Sequence, residues 1–154
     1  EIRYNTSENH KNTAVAIQKQ LKPHNGEVPL LNTDTKTHYG HREQHGDMDI
    51  ARAGWIADYL DPTTFLDMWI KDGGNNNTNW SDADFEKLLR EAERTADAES
   101  RLRLLEKAET IFLEQLPVVP IFWYTRNYLI DKRVQGWHPL LLDNHPFKFI
   151  RLEP

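Results

Sequence analysis

Apolar positions along the chain recur at helical spacing in several stretches, with short strand-like runs between them. Ile2-Arg3-Tyr4 is a strand candidate at the start. Ser7 is a favourable helix N-cap, and Ala14, Ile17, Gln18 and Leu21 follow at helical spacing until Pro23 and Gly26 predict a stop. Residues 28–31 read as a second strand, and Pro29 assigns it to an edge because proline has no N–H for a neighbour. This β-α-β order predicts a parallel pair. The polar stretch 33–45 reads as a further helix, and 48–53 as a third short strand ending at Gly54-Trp55.

Pro62 suits the first turn of a helix carrying Phe65, Leu66 and Trp69. Residues 71–81 hold Asp72-Gly73-Gly74-Asn75-Asn76-Asn77, which favours neither helix nor strand and predicts a loop. Ser81 with Asp84 resembles a capping box for a helix through Arg94, with Phe85, Leu88, Leu89 and Ala92 on its buried face. A second helix is predicted over 98–116, with Leu102, Leu105, Ala108, Phe112 and Leu116 as its apolar stripe and Pro117 as its end. The apolar run 118–124 predicts a buried strand. Residues 125–154 read as irregular chain with a last strand at 147–152.

Composition narrows the function classes. The 154 residues suffice for one domain, and five Trp, five Tyr and six Phe argue against disorder. No apolar run approaches the roughly 20 residues of a membrane span. A net charge of −5, with Lys and Arg interspersed among acids, disfavours nucleic acid as a partner. Without cysteine, a disulfide scaffold and a thiolate metal site are excluded, and so is a thiol nucleophile. The chain opens on its strand without an initiator Met, and the expectation is a piece of something longer or a processed product.

The segment from Ala51 to Pro62 carries the most chemistry, because it lies where a predicted strand gives way to a predicted helix. In open α/β sheets ligands bind beyond the carboxyl ends of the strands. Gly54 lets another backbone approach, and an extended peptide can bond to such an edge through main-chain groups alone. Asp58 can pair with an α-ammonium group. The same residues also fit a plain strand-to-helix turn in which Asp58 or Asp61 caps the Pro62 helix.

Ala51-Arg52-Ala53-Gly54-Trp55, followed by Ala57-Asp58-Tyr59 and Pro62-Thr63, closely resembles the periplasmic oligopeptide-binding proteins of bacterial ABC importers. Tyr4-Asn5-Thr6-Ser7 with His10-Lys11, the Asn75-Asn76-Asn77 loop, Ala108-Glu109 with Val119-Pro120-Ile121-Phe122, Gly136-Trp137 and Asp143-Asn144 extend the resemblance over nearly the whole chain. It implies an α/β lobe of a two-lobed periplasmic-binding-protein (type II) fold. Residues 1–124 would be part of the second lobe, and 125–154 a tail crossing back to the first. It implies binding rather than turnover: capture of an oligopeptide between lobes and delivery to the importer's permease subunits, with no cofactor. The location would be the periplasm, or the extracellular face by a lipid anchor. Asp58 would bind the peptide amine, and Gly54 and Ile56 would supply backbone hydrogen bonds. Trp55, Arg52 and His10 would line pockets, and Arg42 would match a family arginine that meets a peptide carboxylate. The stretch from Arg42 to Ile50 is one residue longer than the family pattern, and Thr35 stands where the family tends to have a pocket Trp.

Rival readings are a relative selective for murein peptide or a nickel complex, and a stand-alone interaction module derived from the lobe. In the last case an exposed apolar patch at 118–124 would mark a missing partner. A third is a metalloenzyme built on His38, His41 and His45, whose spacings of three and four share one helical face. No His-Glu-x-x-His motif accompanies them, and the expectation is solvent-exposed histidines on a polar helix. Gly-x-Ser-x-Gly, Walker and Gly-x-Gly-x-x-Gly motifs are absent. Caps and salt bridges account for the acidic pairs more simply than acid–base catalysis does.

Overall fold

A computed structural model describes residues 1–44 and 48–154. The chain divides into two compact units, one of residues 1–55 with 68–82 and the other of residues 56–67 with 83–154.

The first unit is built on a parallel sheet of β1 (Ile2–Asn5), β2 (Leu30–Thr33) and β3 (Ile50–Ala51), in the order β2-β1-β3. The registers pair Ile2 with Leu30 and with Ile50, so β1 is central. Parallel neighbours need a crossover, and helix α1 (Glu8–Asn25) provides the one between β1 and β2. Its apolar positions Ala14, Ile17 and Leu21 pack with Ile2, Tyr4, Val28 and Leu30 to form the core. Pro29 precedes β2 and offers only its carbonyl, which accepts from Ile2 N–H at 2.8 Å, so the edge position costs no ladder bond.

Several boundaries differ from expectation: β2 lies two residues later than 28–31, and β3 is confined to Ile50–Ala51. Helix α1 runs through Pro23 to Asn25, because proline removes one N–H near the helix end and leaves the chain direction intact. The stop belongs to Gly26, whose φ of 70° is open to glycine and whose N–H still reaches Lys22 O at 3.1 Å. Ser7 occupies the N-cap position without a side-chain bond. Helix α2 (Thr35–Glu43) starts where the Asp34 carboxylate accepts from Thr37 N–H at 3.0 Å.

The Asn-rich segment of this unit is a loop built around one side chain. Buried Asn76 donates to the carbonyls of Trp69, Ile70 and Trp80 at 3.1, 3.1 and 2.8 Å. Its Oδ1 accepts from Thr78 N–H and Oγ1 at 3.2 and 2.8 Å. A loop without ladder bonds must satisfy its carbonyls otherwise, and one asparagine does so for three of them.

In the second unit α3 (Thr63–Leu66) is a single turn, shorter than the Pro62 helix expected, and the 3-10 turn over Asp67–Trp69 leads the chain back into the first unit. Helices α4 (Ala83–Arg94) and α5 (Ala98–Gln115) pack on each other. Phe85 is fully buried, with Leu89 and Ala92 beside it, against Leu105, Ala108 and Phe112. The Phe85 and Phe112 rings lie 6.1 Å apart. Leu102 and Leu116, expected in the stripe, are exposed. Leu116 adopts φ 50° at the C-cap, which turns its side chain out of the helical row.

The run 118–124 forms no strand, and Val119, Ile121, Phe122, Trp123 and Tyr124 are exposed. Apolar composition promotes burial, but a strand also needs a neighbour for its backbone groups, and none pairs with this run among the described residues. Its rings settle for local contacts, Phe122 with Tyr124 at 4.9 Å and Trp123 with Phe65 at 6.3 Å. The last strand is likewise shorter than expected. Val134–Gln135 (β4) pairs antiparallel with Arg151–Leu152 (β5), and Phe147–Phe149 is a 3-10 turn.

Candidate functional site

The carboxyl end of the parallel sheet is the site that the first unit builds. Arg52 follows β3, and its N–H donates to Arg3 O at 2.8 Å, carrying the parallel pairing one residue beyond the strand. From the opposite side helix α2 supplies two consecutive residues. His38 Nε2 bonds the Arg52 carbonyl at 2.8 Å, and Tyr39 Oη accepts from Arg52 Nη1 at 3.4 Å. Arg42, one turn further, places its guanidinium 5.5 Å from the Tyr39 ring centroid. His10, in the first turn of α1, bonds Asn5 O at 3.2 Å, at the end of β1.

The structure gathers Arg52, Arg42, Gly54 and His10 at one end of one sheet. Ile56 and Asp58 belong to the second unit. Trp55 and Ile56 are exposed and in no regular element, so their backbone groups serve no ladder.

His38 corrects the sequence reading. It is 3% exposed, not a solvent-facing histidine. Burial holds its imidazole below the ordinary value, the bond to the Arg52 carbonyl opposes this, and nearby Arg42, Arg52 and His10 reinforce it. His45 lies outside the described residues, and no group of three metal-binding side chains occurs among the described residues.

Gly54 has a different local neighbour from the one expected. A Cβ there would stand 2.9 Å from Nη2 of Arg52, so the missing side chain makes room for the guanidinium within the chain itself. Sequence reasoning missed His38 and Tyr39 as partners of this edge. No local signal marked them, since consecutive helix positions lie about 100° apart and can both face solvent, and the partner residue is distant in sequence.

On the second unit's side, the alternative capping reading holds for Asp61. Its carboxylate accepts from Thr63 N–H and Oγ1 at 3.0 and 2.7 Å, and Arg101 of α5 grips it with two bonds of 2.8 Å. The Arg101 guanidinium holds the Asp61 carboxyl well below the usual carboxylate range. Thr64, buried beside it, accepts the Asp58 backbone N–H at 3.1 Å. Asp58 is thus fixed by its main chain while its side chain stays exposed. Asp67 is pushed above its ordinary value by burial, against a weak bond from Tyr59 Oη.

A parallel sheet with cationic side chains gathered at its carboxyl end is the layout of an α/β ligand-binding protein. The chain belongs to the bacterial extracellular solute-binding proteins of family 5, whose middle-region model matches residues 1–77. It is 37% identical to the oligopeptide-binding protein OppA of Bacillus subtilis over 88% of its length, and 34% identical to the periplasmic murein peptide-binding protein MppA of Escherichia coli over 87%. It covers 25% of each of those proteins, so it spans about a quarter of the curated relatives it matches. Among solved structures, Haemophilus influenzae OppA in complex with RPPGFSPFR superposes with a TM-score of 0.86 at 34% identity, over 98% of this chain and 30% of that one. The family is one of binding proteins rather than enzymes. No helix among the described residues is long and apolar enough to cross a membrane.

Proposed function

We propose that this chain is part of an extracytoplasmic binding protein that captures oligopeptides for uptake by an ABC importer. The observation that carries this reading is the similarity to OppA proteins over nearly nine-tenths of the chain, together with an edge able to take an extended backbone. Gly54 and Ile56 offer main-chain groups to the peptide backbone. Asp58 receives the peptide's amine, Arg52, Trp55 and His10 line side-chain pockets, and Arg42 meets a carboxylate. The segment 1–124 belongs to one lobe and the tail 125–154 to the other. The exposed apolar run 118–124 supports a partner surface of this kind. Delivery to permease subunits outside the cytoplasmic membrane follows from the same reading.

A main-chain-based site gives affinity without sequence preference, and bridging water accommodates varied side chains at little cost. Similarity to MppA makes murein peptide the second ligand class to test. The decisive experiment is calorimetry with Asp58→Asn, using free and N-acetylated versions of one short peptide. A charge-assisted bond to the amine is worth about 1.5–3 kcal/mol, so the free peptide should weaken roughly tenfold or more and the acetylated one little. Equal losses would remove Asp58 from this role.

A further inference from the structure

The geometry points to His38 and Tyr39 as a positioning pair that sets both the ligand-facing backbone and the charge of the candidate site by gripping Arg52 at its two ends. This rests on the peptide-binding reading above, and names residues that neither the Arg-Ala-Gly-Trp motif nor the proposed ligand contacts include. The two contacts act on different parts of one residue. His38 Nε2 donates to the main-chain carbonyl of Arg52 at 2.8 Å, which orients the peptide plane leading into Ala53 and Gly54. Tyr39 Oη accepts from the guanidinium at 3.4 Å and holds it over Gly54, where Nη2 lies 2.9 Å from the Cβ position that glycine lacks.

Consecutive residues on a helix diverge by about 100° around its axis, so one short segment can reach the backbone and the side-chain head of the same arginine. His38 is 3% exposed and Tyr39 half-buried, which anchors both contacts in the α2 interface. Arg42 and His10 lie close enough for their charge to act on His38, so the guanidinium is held within a cluster of like charge. The Tyr39 contact therefore fixes where a ligand's anionic group meets positive charge, while the His38 contact fixes the main-chain edge that any ligand uses.

The test uses the protein at the full length in which it is naturally expressed, with calorimetric binding of one short peptide bearing a free C-terminal carboxylate and of its amidated form. The variants are Tyr39→Phe, His38→Leu and His38→Gln, with melting temperatures measured alongside. Tyr39→Phe should weaken the carboxylate form about three- to tenfold and the amidated form hardly at all, with an unchanged melting temperature. His38→Leu should weaken both forms about tenfold, and His38→Gln, whose amide can still donate to the Arg52 carbonyl, should regain most of that. If the unaltered protein binds peptide but Tyr39→Phe and His38→Gln leave both affinities and their ratio at the unaltered values, while His38→Leu does the same or fails to fold, the positioning role is wrong and the peptide reading stands. Equal weakening of both forms by Tyr39→Phe also overturns it, because the role assigned is to charge. If the unaltered protein binds neither form, the peptide reading fails and the inference falls with it.

Discussion

Replacing Arg101 with Leu tests how the second unit holds the loop that carries Asp58. The guanidinium makes two bonds of 2.8 Å to Asp61, whose carboxylate also accepts the backbone N–H and hydroxyl of Thr63. Hydrogen bonds to charged groups contribute about 1.5–3 kcal/mol each when buried, whereas an exposed ion pair contributes about 0.2–1 kcal/mol in total. The Arg101 and Asp61 side chains are 27% and 29% exposed, so the pair lies between these limits. The expected loss is about 2 kcal/mol, or roughly 4–8 °C in melting temperature for a domain of this size. A double-mutant cycle with Asp61→Ala, followed by tryptophan fluorescence in urea, isolates the coupling. The low pKa of Asp61 fixes the sign of the pH dependence. The stabilisation is fully present above the ordinary carboxylate range and is lost progressively as pH falls from there through the depressed folded value, so the wild-type advantage starts to shrink only below the ordinary value of 3.8. Because Thr64 Oγ1 accepts the Asp58 N–H within the same turn, the variant should also weaken binding of free-amine peptides. A coupling energy below about 0.3 kcal/mol, within the scatter of independent sites, would refute the clamp.

Phe85→Ala should cost about 3–5 kcal/mol in urea denaturation, since Phe85 is fully buried against Phe112 and its loss leaves a cavity between α4 and α5. Asn76→Ala removes the side-chain bonds to the carbonyls of Trp69, Ile70 and Trp80 and should cost about 2–4 kcal/mol, with faster hydrogen exchange confined to that loop. For His38 the folded pKa lies below the ordinary 6.5, so the unfolded chain takes up the proton first. Stability should fall as pH drops below that value and level off below the folded pKa, and His38→Gln should flatten this slope in melts between pH 5 and 7, taken as approximate limits of the histidine range.

The order of elements was legible in the chain because each depends on local chemistry. Helices α1, α4 and α5 follow from spacing and from stop residues such as Gly26. The parallel β1–β2 pair follows from a strand-helix-strand order that leaves few alternatives. The block Arg52–Gly54 stood out for a different reason, as a motif carried by neighbouring residues. Where the reading failed, the missing information was a partner distant in sequence. The apolar run 118–124 looked like a buried strand, yet pairing requires a neighbour that its own residues do not specify. His38 looked like a surface histidine until its ring was seen to bond the Arg52 carbonyl, and Asp61 finds Arg101 forty residues away.

By itself, then, the sequence determined periodicity, caps, the glycine at position 54, the absence of cysteine and the set of charged groups available to a ligand, since these are properties of residues and their near neighbours. Only the tertiary structure decided that His38 is buried, that Tyr39 and Gly54 share one guanidinium, and that Asp61 holds the loop while Asp58 stays exposed. Burial and ion pairing depend on which surfaces the packed elements bring together, and that choice is made by the summed burial of apolar residues across the unit rather than by any short segment.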